Sequence, residues 1–364
     1  MIGKTLGIYI SLRFLRSLIG MLLGLAFLII SVDFIEQLRK AGGNDEVRLG
    51  QLYMIAMLRA PIFIEKAFPF ACLFAAMMTL TNLNQKLELV VARAAGVSAW
   101  QFLLPISIAA ALVGILVATV YNPVAILASQ NAKELSAKVL HGTSLNRQSS
   151  KREHWIKQED PSGGYTVLNA ELARRNGTLL DNVKILRFDS DGKFIERMDA
   201  TAVVHRQDHW FVVSVRKTDN EGNTVNLDSE ILPTTLTPDE LFGISGKPDE
   251  VPFWDLLQTA ERVEKSGTNG KPYRVHYHSL TALPAFFFAM VLVAASVCLR
   301  FVRFGQVGRM ILGGILFGFV LYTVTSLITA LGSNGVIPPI VAAWSPGFVA
   351  ILFGMSALLH QEDG

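Results

Sequence analysis

From Met310 to His360 the chain contains no Asp, Glu, Lys or Arg. A soluble domain cannot bury an uncharged run of that length, whereas a membrane accepts one helix for roughly every 20 apolar residues. The run breaks once, at "GSNGVIPP" (Gly332 to Pro339), where glycine, asparagine and proline supply turn chemistry. It therefore predicts two spans. The whole chain agrees, with 364 residues, 17% of them charged, and a mean hydropathy of +0.39. Four more apolar stretches complete six spans: about Phe14 to Phe34, about Tyr53 to Leu83, one within Val97 to Tyr121, and Ser279 to Leu299. Lys4, Arg13 and Arg16 precede the first stretch as in a signal peptide. No small-x-small cleavage pattern follows, so the stretch is expected to stay as an anchor.

Orientation follows from the cations that flank the spans. Lys4, Arg13 and Arg16 at the start, Lys86 and Arg93 in the second connection, and Arg300, Arg303 and Arg309 in the fourth put all three on the cytoplasmic side. Both termini are then cytoplasmic, and the long middle stretch lies outside. That stretch alternates apolar and polar residues in "NVKILRF", "ATAVVH" and "HWFVVSVRK", punctuated by turns at Ser162–Gly164, Asp191–Gly192 and Glu221–Asn223. It predicts an antiparallel sandwich or jelly roll. The fold class is thus a membrane α-helical bundle of six transmembrane helices with an inserted periplasmic all-β, jelly-roll-like domain. The boundaries are residues 1–140 for three spans, 141–236 for the β domain, 237–278 for a linker with a helix near Pro252 to Gly267, and 279–364 for the last three spans.

The chemical motifs are weak. "IGKT" (Ile2 to Thr5) lacks the glycine-rich part of a phosphate loop. "HYH" (His276 to His278) has no further ligand nearby, and "DSDG" (Asp189 to Gly192) reads as a hairpin turn rather than a calcium loop. No metal, no cofactor and no active site are expected in this chain. Two cysteines, Cys72 and Cys298, both inside apolar runs, exclude a disulfide framework in the β domain. The net charge of +3 is spread along the chain and gives no nucleic-acid footprint.

Three places need a purpose. "QKLELVVARAAGVS" (Gln85 to Ser98) is a helix-like, amphipathic stretch with a glycine stop between two spans. Glu65 and Lys66 lie inside the second span, where charges are costly. Arg39 and Lys40 sit at the outer rim of the first span, where cations are disfavoured, with Glu36 close enough to pair with them; Lys133 follows the third span.

These residues, with "DFIEQLRKAGG", "LTPDEL", a helix ending "EKSG" and "GVIPP" in this order, resemble the LptF/LptG permeases of the lipopolysaccharide exporter over essentially the whole chain. The resemblance implies a permease subunit without catalysis of its own, in a Gram-negative inner membrane. It implies a paired LptF-like permease, an LptB-like ATPase dimer that binds the ATP and Mg, an LptC-like single-span protein and a periplasmic bridge. Residues 85–96 become a coupling helix, with Leu87, Glu88, Leu89, Val90, Val91 and Arg93 meeting the ATPase and Glu88 pairing with one of its basic groups. Lipopolysaccharide would meet Arg39, Lys40, Lys66, Lys133, Phe27 and Phe68. Asp33, where the family often has a cation, and Ile62, where some members have Lys, depart from the pattern; either the lipid A is less phosphorylated or Lys66 supplies the missing charge. The alternative is a mechanotransmitting or regulatory membrane protein that couples to an ATPase and moves no substrate; it would need no lipid cavity.

Overall fold

The computed structural model describes residues 4–42, 47–96, 98–140, 154–159, 163–174, 178–206, 209–234, 247–265, 269–301 and 307–362. They fall into two compact units. The first comprises Met1–Thr143, Pro252–Trp254 and Arg274–Gly364; the second comprises Ser144–Val251 and Asp255–Tyr273.

The first unit is a helical bundle. Its elements are α1 (Lys4–Ala41), α2 (Leu49–Gln85), the short α3 (Glu88–Ala94), α4 (Ala99–Leu116), a π-helical turn (Val117–Tyr121), α5 (Asn122–Leu140), α7 (Lys271–Phe301), α8 (Val307–Ser333) and α9 (Pro339–Glu362). Six helical rods are long and apolar enough to cross a membrane, with α4, the π turn and α5 forming one of them. The helix that carries the span expected within Val97 to Tyr121 runs on to Leu140, because the π turn does not stop it. The core centres on α7, whose Phe287 to Ala295 segment is buried almost throughout, packed against Phe14, Cys72, Leu73, Phe102 and Ile106. Small residues let the rods meet at backbone distance, as expected where lipid gives no hydrophobic drive between helices. A methyl built on Gly114 of α4 would lie 2.7 Å from the Cα of Pro284 in α7, and one on Gly354 of α9 only 2.8 Å from Leu292 Cβ. The α8–α9 turn closes as the "GSNGVIPP" stretch predicts. Gly335 takes φ +78°, Val336 N–H donates to Leu331 O and Gly335 N–H to Gly332 O, and Pro339 opens α9.

The second unit contains one six-stranded antiparallel sheet in sequence order: β1 (His154–Glu159), β2 (Tyr165–Arg174), β3 (Leu179–Phe188), β4 (Phe194–Arg206), β5 (His209–Asp219) and β6 (Thr224–Pro233). The expected class, a helical bundle with an inserted antiparallel domain, is present. A single meander could not bury its own apolar face if it were flat. Two features curl this one. First, a crease crosses β3, β4 and β5. Buried positions run with period two on each side of it, but jump by three at Leu180–Val183, Ala200–Val203 and Val212–Val215. Pairing lapses along the same line, at Asn182, Thr201 and Ser214, where Asn182 and Ser214 take φ +48° and +55°. Each strand thus carries a bulge-like irregularity at the same level, which bends the sheet as a row of bulges does. Second, the outer strands meet at one end. The Gln158 amide of β1 donates to Pro233 O of β6 and accepts from the Trp210 indole of β5 and from the Thr234 hydroxyl. The apolar cluster from Leu168 to Leu232, with Trp210 fully buried, fills the curl.

The two tight hairpins share one turn chemistry. Asp189 Oδ1 accepts from the N–H groups of Asp191 and Lys193, and Asp219 Oδ1 accepts from those of Glu221 and Asn223, with Gly192 and Gly222 at positive φ. "DSDG" is therefore a hairpin turn whose carboxylate serves its own backbone. The expected helix after Pro252 begins later, as α6 (Leu256–Lys265). Phe253–Asp255 form a 3₁₀ turn, and Pro252–Trp254 belong to the helical unit.

Candidate functional site

At the α3 end of the bundle, α2 passes into α3 through Leu87, which adopts the left-handed conformation at φ +60°. That region suits glycine and costs a leucine on the order of 1 kcal/mol. Gly96 at φ +84° closes the other side. The expected helix at 85–96 is thus two pieces, the end of α2 at Gln85 and the seven-residue α3. Leu87, Val90 and Val91 project outward as an exposed apolar row. Leu89 does not join them. At 5% exposure it is buried in the core of its own bundle, which corrects its assignment to a docking face. Glu88 is also spoken for. Arg13 of α1 holds its carboxylate at 3.0 and 3.2 Å, and the Tyr9 hydroxyl lies 3.4 Å away. The expected pairing of Glu88 with a basic group on another protein is replaced in this structure by a clasp within the chain. The side chain of Arg93 lies outside the described residues, as do those of Lys138, Arg300, Arg303 and Arg309 and the whole of "LTPDEL".

At the opposite end of α1, Glu36 pairs with Arg39 at 2.9 Å and Lys40 at 3.5 Å. Arg39 is nonetheless 78% exposed, so most of its five N–H donors stay open to other acceptors. One turn below lies an open groove of about 610 Å³ between α1 and α2, lined by Leu28, Ile29, Val32, Asp33, Ile35, Glu36 and Phe63. Phe27 stands on the outward side of α1, 73% exposed. Asp33 is answered by Arg59 of α2 at 3.1 Å, and Gln37 donates to it at 3.3 Å. The position where a cation is expected therefore holds a neutralised pair, and Arg59 is a cation that the sequence reading missed.

Lys66 and Glu65 line a second, narrower cavity of about 260 Å³. It is walled mainly by Pro69, Phe70, Leu283, Phe286, Leu321 and Tyr322 of α2, α7 and α8. Lys66 is exposed. Glu65 accepts a 2.8 Å bond from the amide of Asn122. Lys133 is exposed on α5, on a different rod from Arg39, Lys40 and Lys66. Phe68 is buried, edge-on to Tyr121 and stacked on Phe287, so it is a core residue and not a surface for a ligand. Of the expected lipid contacts, Arg39 and Lys40 come together, Phe27 is available on the same helix, and Phe68 drops out. Among the described residues no group of three His, Cys, Asp or Glu is placed to hold a metal. Tyr277 of the "HYH" motif stacks on Phe253.

A polytopic bundle with an open apolar groove, cations at its rim and a short helix clasped at its other end defines the permease class of membrane protein. The chain belongs to the lipopolysaccharide export system permease LptF/LptG family, whose sequence model matches residues 8–360. It is 26% identical to the lipopolysaccharide export system permease protein LptG of Haemophilus influenzae, over 99% of both chains. It is also 26% identical to the protein of that name from Escherichia coli K12, over 99% of this chain and 97% of that one.

Proposed function

We propose that this chain is one of two paired permease subunits that draw lipopolysaccharide from the outer leaflet of the inner membrane and hand it toward a periplasmic bridge. The LptF-like partner supplies the facing half of the cavity. An LptB-like ATPase dimer, which holds the ATP and Mg, supplies the work; this chain holds neither. An LptC-like single-span protein and the bridge receive the lipid. The cations near the ends of the spans support cytoplasmic termini, a cytoplasmic α3 and a periplasmic β domain.

One observation carries this reading. The α1–α2 groove is lined mainly by apolar side chains, and Glu36 at its end carries Arg39 and Lys40 as ion-pair partners, an arrangement matched to an acylated, phosphorylated lipid. Burial of acyl chains supplies affinity, and charge-assisted bonds to phosphate supply orientation. On the other side of the membrane, Leu87, Val90 and Val91 form the face offered to the ATPase, and Glu88 holds α3 at its angle through Arg13.

The test is photo-crosslinking from position 27 in proteoliposomes containing the whole complex. The parent is expected to crosslink lipopolysaccharide, and Arg39→Glu with Lys40→Glu to reduce the yield several-fold while the ATPase stays bound. Equal crosslinking by parent and double variant would remove the rim from the site. No crosslink from the parent would favour the transmitter that moves no substrate.

A further inference from the structure

The rod formed by α4 and α5 is irregular at one level, and the irregularity has a sequence cause. In an α-helix the carbonyl of Thr119 would accept from residue 123, but Pro123 has no N–H. The chain widens there into a π-helix over Val117–Tyr121, a form that is rare and is frequent at functional sites. The indole N–H of Trp254 donates to the Thr119 carbonyl at 3.1 Å. The next residues complete a small clamp. Tyr121 Oη donates to Pro61 O of α2 at 3.1 Å. Asn122, only 2% exposed, uses both ends of its amide. Its Nδ2 donates to Glu65 of α2 at 2.8 Å, and its Oδ1 accepts the N–H of Phe253 at 3.0 Å. The Phe253 ring stacks on Tyr277 of α7 with 5.3 Å between centroids.

Pro252, Phe253 and Trp254 are thereby fixed to the helical unit, although Val251 before them and Asp255 after them belong to the β unit. Any displacement of this tripeptide is passed covalently to both flanks. Glu65 lies on the same unbroken helix as Gln85, twenty positions along, or about 30 Å at 1.5 Å per residue. The far end of that helix leads through Leu87 into α3, where Arg13 clasps Glu88.

We infer that Asn122 is a positioning residue in a mechanical relay: movement of α2, set by the clasped α3, is transmitted through Glu65 and Asn122 to the Pro252–Trp254 tether and so to the segments that carry the β domain. The transport arm of the test rests on the proposed function; the exchange arm does not.

Hydrogen exchange at the Phe253 amide, read by fragmentation mass spectrometry on the full chain, tests the tether. Asn122→Leu is expected to speed exchange about threefold to tenfold, the loss of one neutral hydrogen bond. Glu65→Ala, which leaves the Asn122 acceptor for Phe253 in place, is expected to speed it as well, because Asn122 loses the group that fixes its amide. Unchanged exchange at Phe253 in Glu65→Ala overturns the relay, and unchanged exchange in Asn122→Leu overturns the tether. The transport arm uses a polarity swap in the assembled complex. Asn122→Asp keeps the acceptor for Phe253 but sets a carboxylate against Glu65, and should lower lipid delivered per ATP hydrolysed several-fold. Adding Glu65→Gln restores a donor to Asp at 122 and should recover the ratio. A double variant no better than Asn122→Asp overturns the relay. A parent complex that moves no lipid counts against the proposed function, and the exchange results then decide the relay alone.

Discussion

The Asp33–Arg59 pair makes an asymmetric prediction. Asp33 is the more buried partner, with its side chain 10% exposed against 32% for Arg59, whose guanidinium lies 5.7 Å from the Phe63 ring centroid. Replacing Arg59 with Met keeps the apolar stem but strands a carboxylate among apolar helices, with the Gln37 amide still donating to it. Stranding one member of a buried pair costs roughly 3–5 kcal/mol. Asp33→Asn is milder. Asn still accepts from Gln37, and Arg59 can lay its stem on Phe63 and turn its head to water, at a cost of about 1 kcal/mol. The double variant should cost little more than Asp33→Asn, which leaves a coupling of roughly 3 kcal/mol or more between the two sites. Unfolding of the purified chain in mixed micelles, followed by circular dichroism, gives the three midpoints. Arg59→Met is expected to be clearly the least stable. If it matched Asp33→Asn, or if the two effects simply added, the pair would not be the buried, mutually dependent unit described here.

Arg13→Glu or Glu88→Arg alone should free α3 and reduce retention of the ATPase on affinity-purified permease about tenfold, the equivalent of one charge-assisted bond, and the two together should restore it. A Glu88→Ala variant that retains the ATPase as well as the parent would show that the clasp does not set α3. Gly114→Ala should cost roughly 1–3 kcal/mol by forcing α4 from α7. Pro284→Ala should fail to rescue it, because the colliding atoms are the Cα and N of residue 284, not its ring; thermal midpoints of the single and double variants check this. In the β domain, hydrogen bonds from the Asn223 side chain, then from its backbone N–H and those of Glu221 and Gly222, hold the Asp219 carboxyl below the usual carboxylate range. Its stabilising effect is therefore complete above the unfolded value of about 3.9 and is lost as pH falls through the lower folded value. The difference in melting temperature between parent and Asp219→Ala should hold steady from about pH 6 to about pH 5 and shrink as pH falls below about 3.9, and a difference that grows on acidification would refute the turn assignment.

The six rods and the inserted sheet were legible because both signals are local: uncharged runs for the helices, and period-two alternation with Asp–Gly and Glu–Gly turns for the strands. The crease was written in the same strands, and it shows as paired apolar neighbours, Leu179–Leu180, Val203–Val204 and Val212–Val213, that break the alternation at one level. Taken strand by strand each looks like noise; only alignment in register makes them a line. The closing of the sheet through Gln158 had no such signal, because its partners lie at Trp210, Pro233 and Thr234 and nothing in their spacing pairs them with it.

The site was less legible, for a physical reason that differs at each residue. Glu88 looked like an orphan charge in an apolar helix and was assigned to another protein, because Arg13 is far away in sequence and sat among cations already explained by membrane orientation. Leu89 and Phe68 looked available because a short or fully apolar helix does not reveal from composition which side faces its own bundle. Asp33 and Arg59 were within reach. The Asp33–Arg59 and Ser17–Thr79 contacts show α1 and α2 antiparallel, and Asp33 lies a similar number of residues before Ala41, the end of α1, as Arg59 does after Leu49, the start of α2. Two rods that rise at 1.5 Å per residue from one turn must bring such residues to the same depth. Nearer the other end of these helices the Ser17 and Thr79 hydroxyls lie 3.1 Å apart. A buried acid and base of matched depth on adjacent spans are more economically read as partners than as two separate ligands for a substrate. Asp33 is thus a partner of Arg59 within the chain, and under the proposed function the phosphate-facing role rests with the exposed cations Arg39 and Lys40.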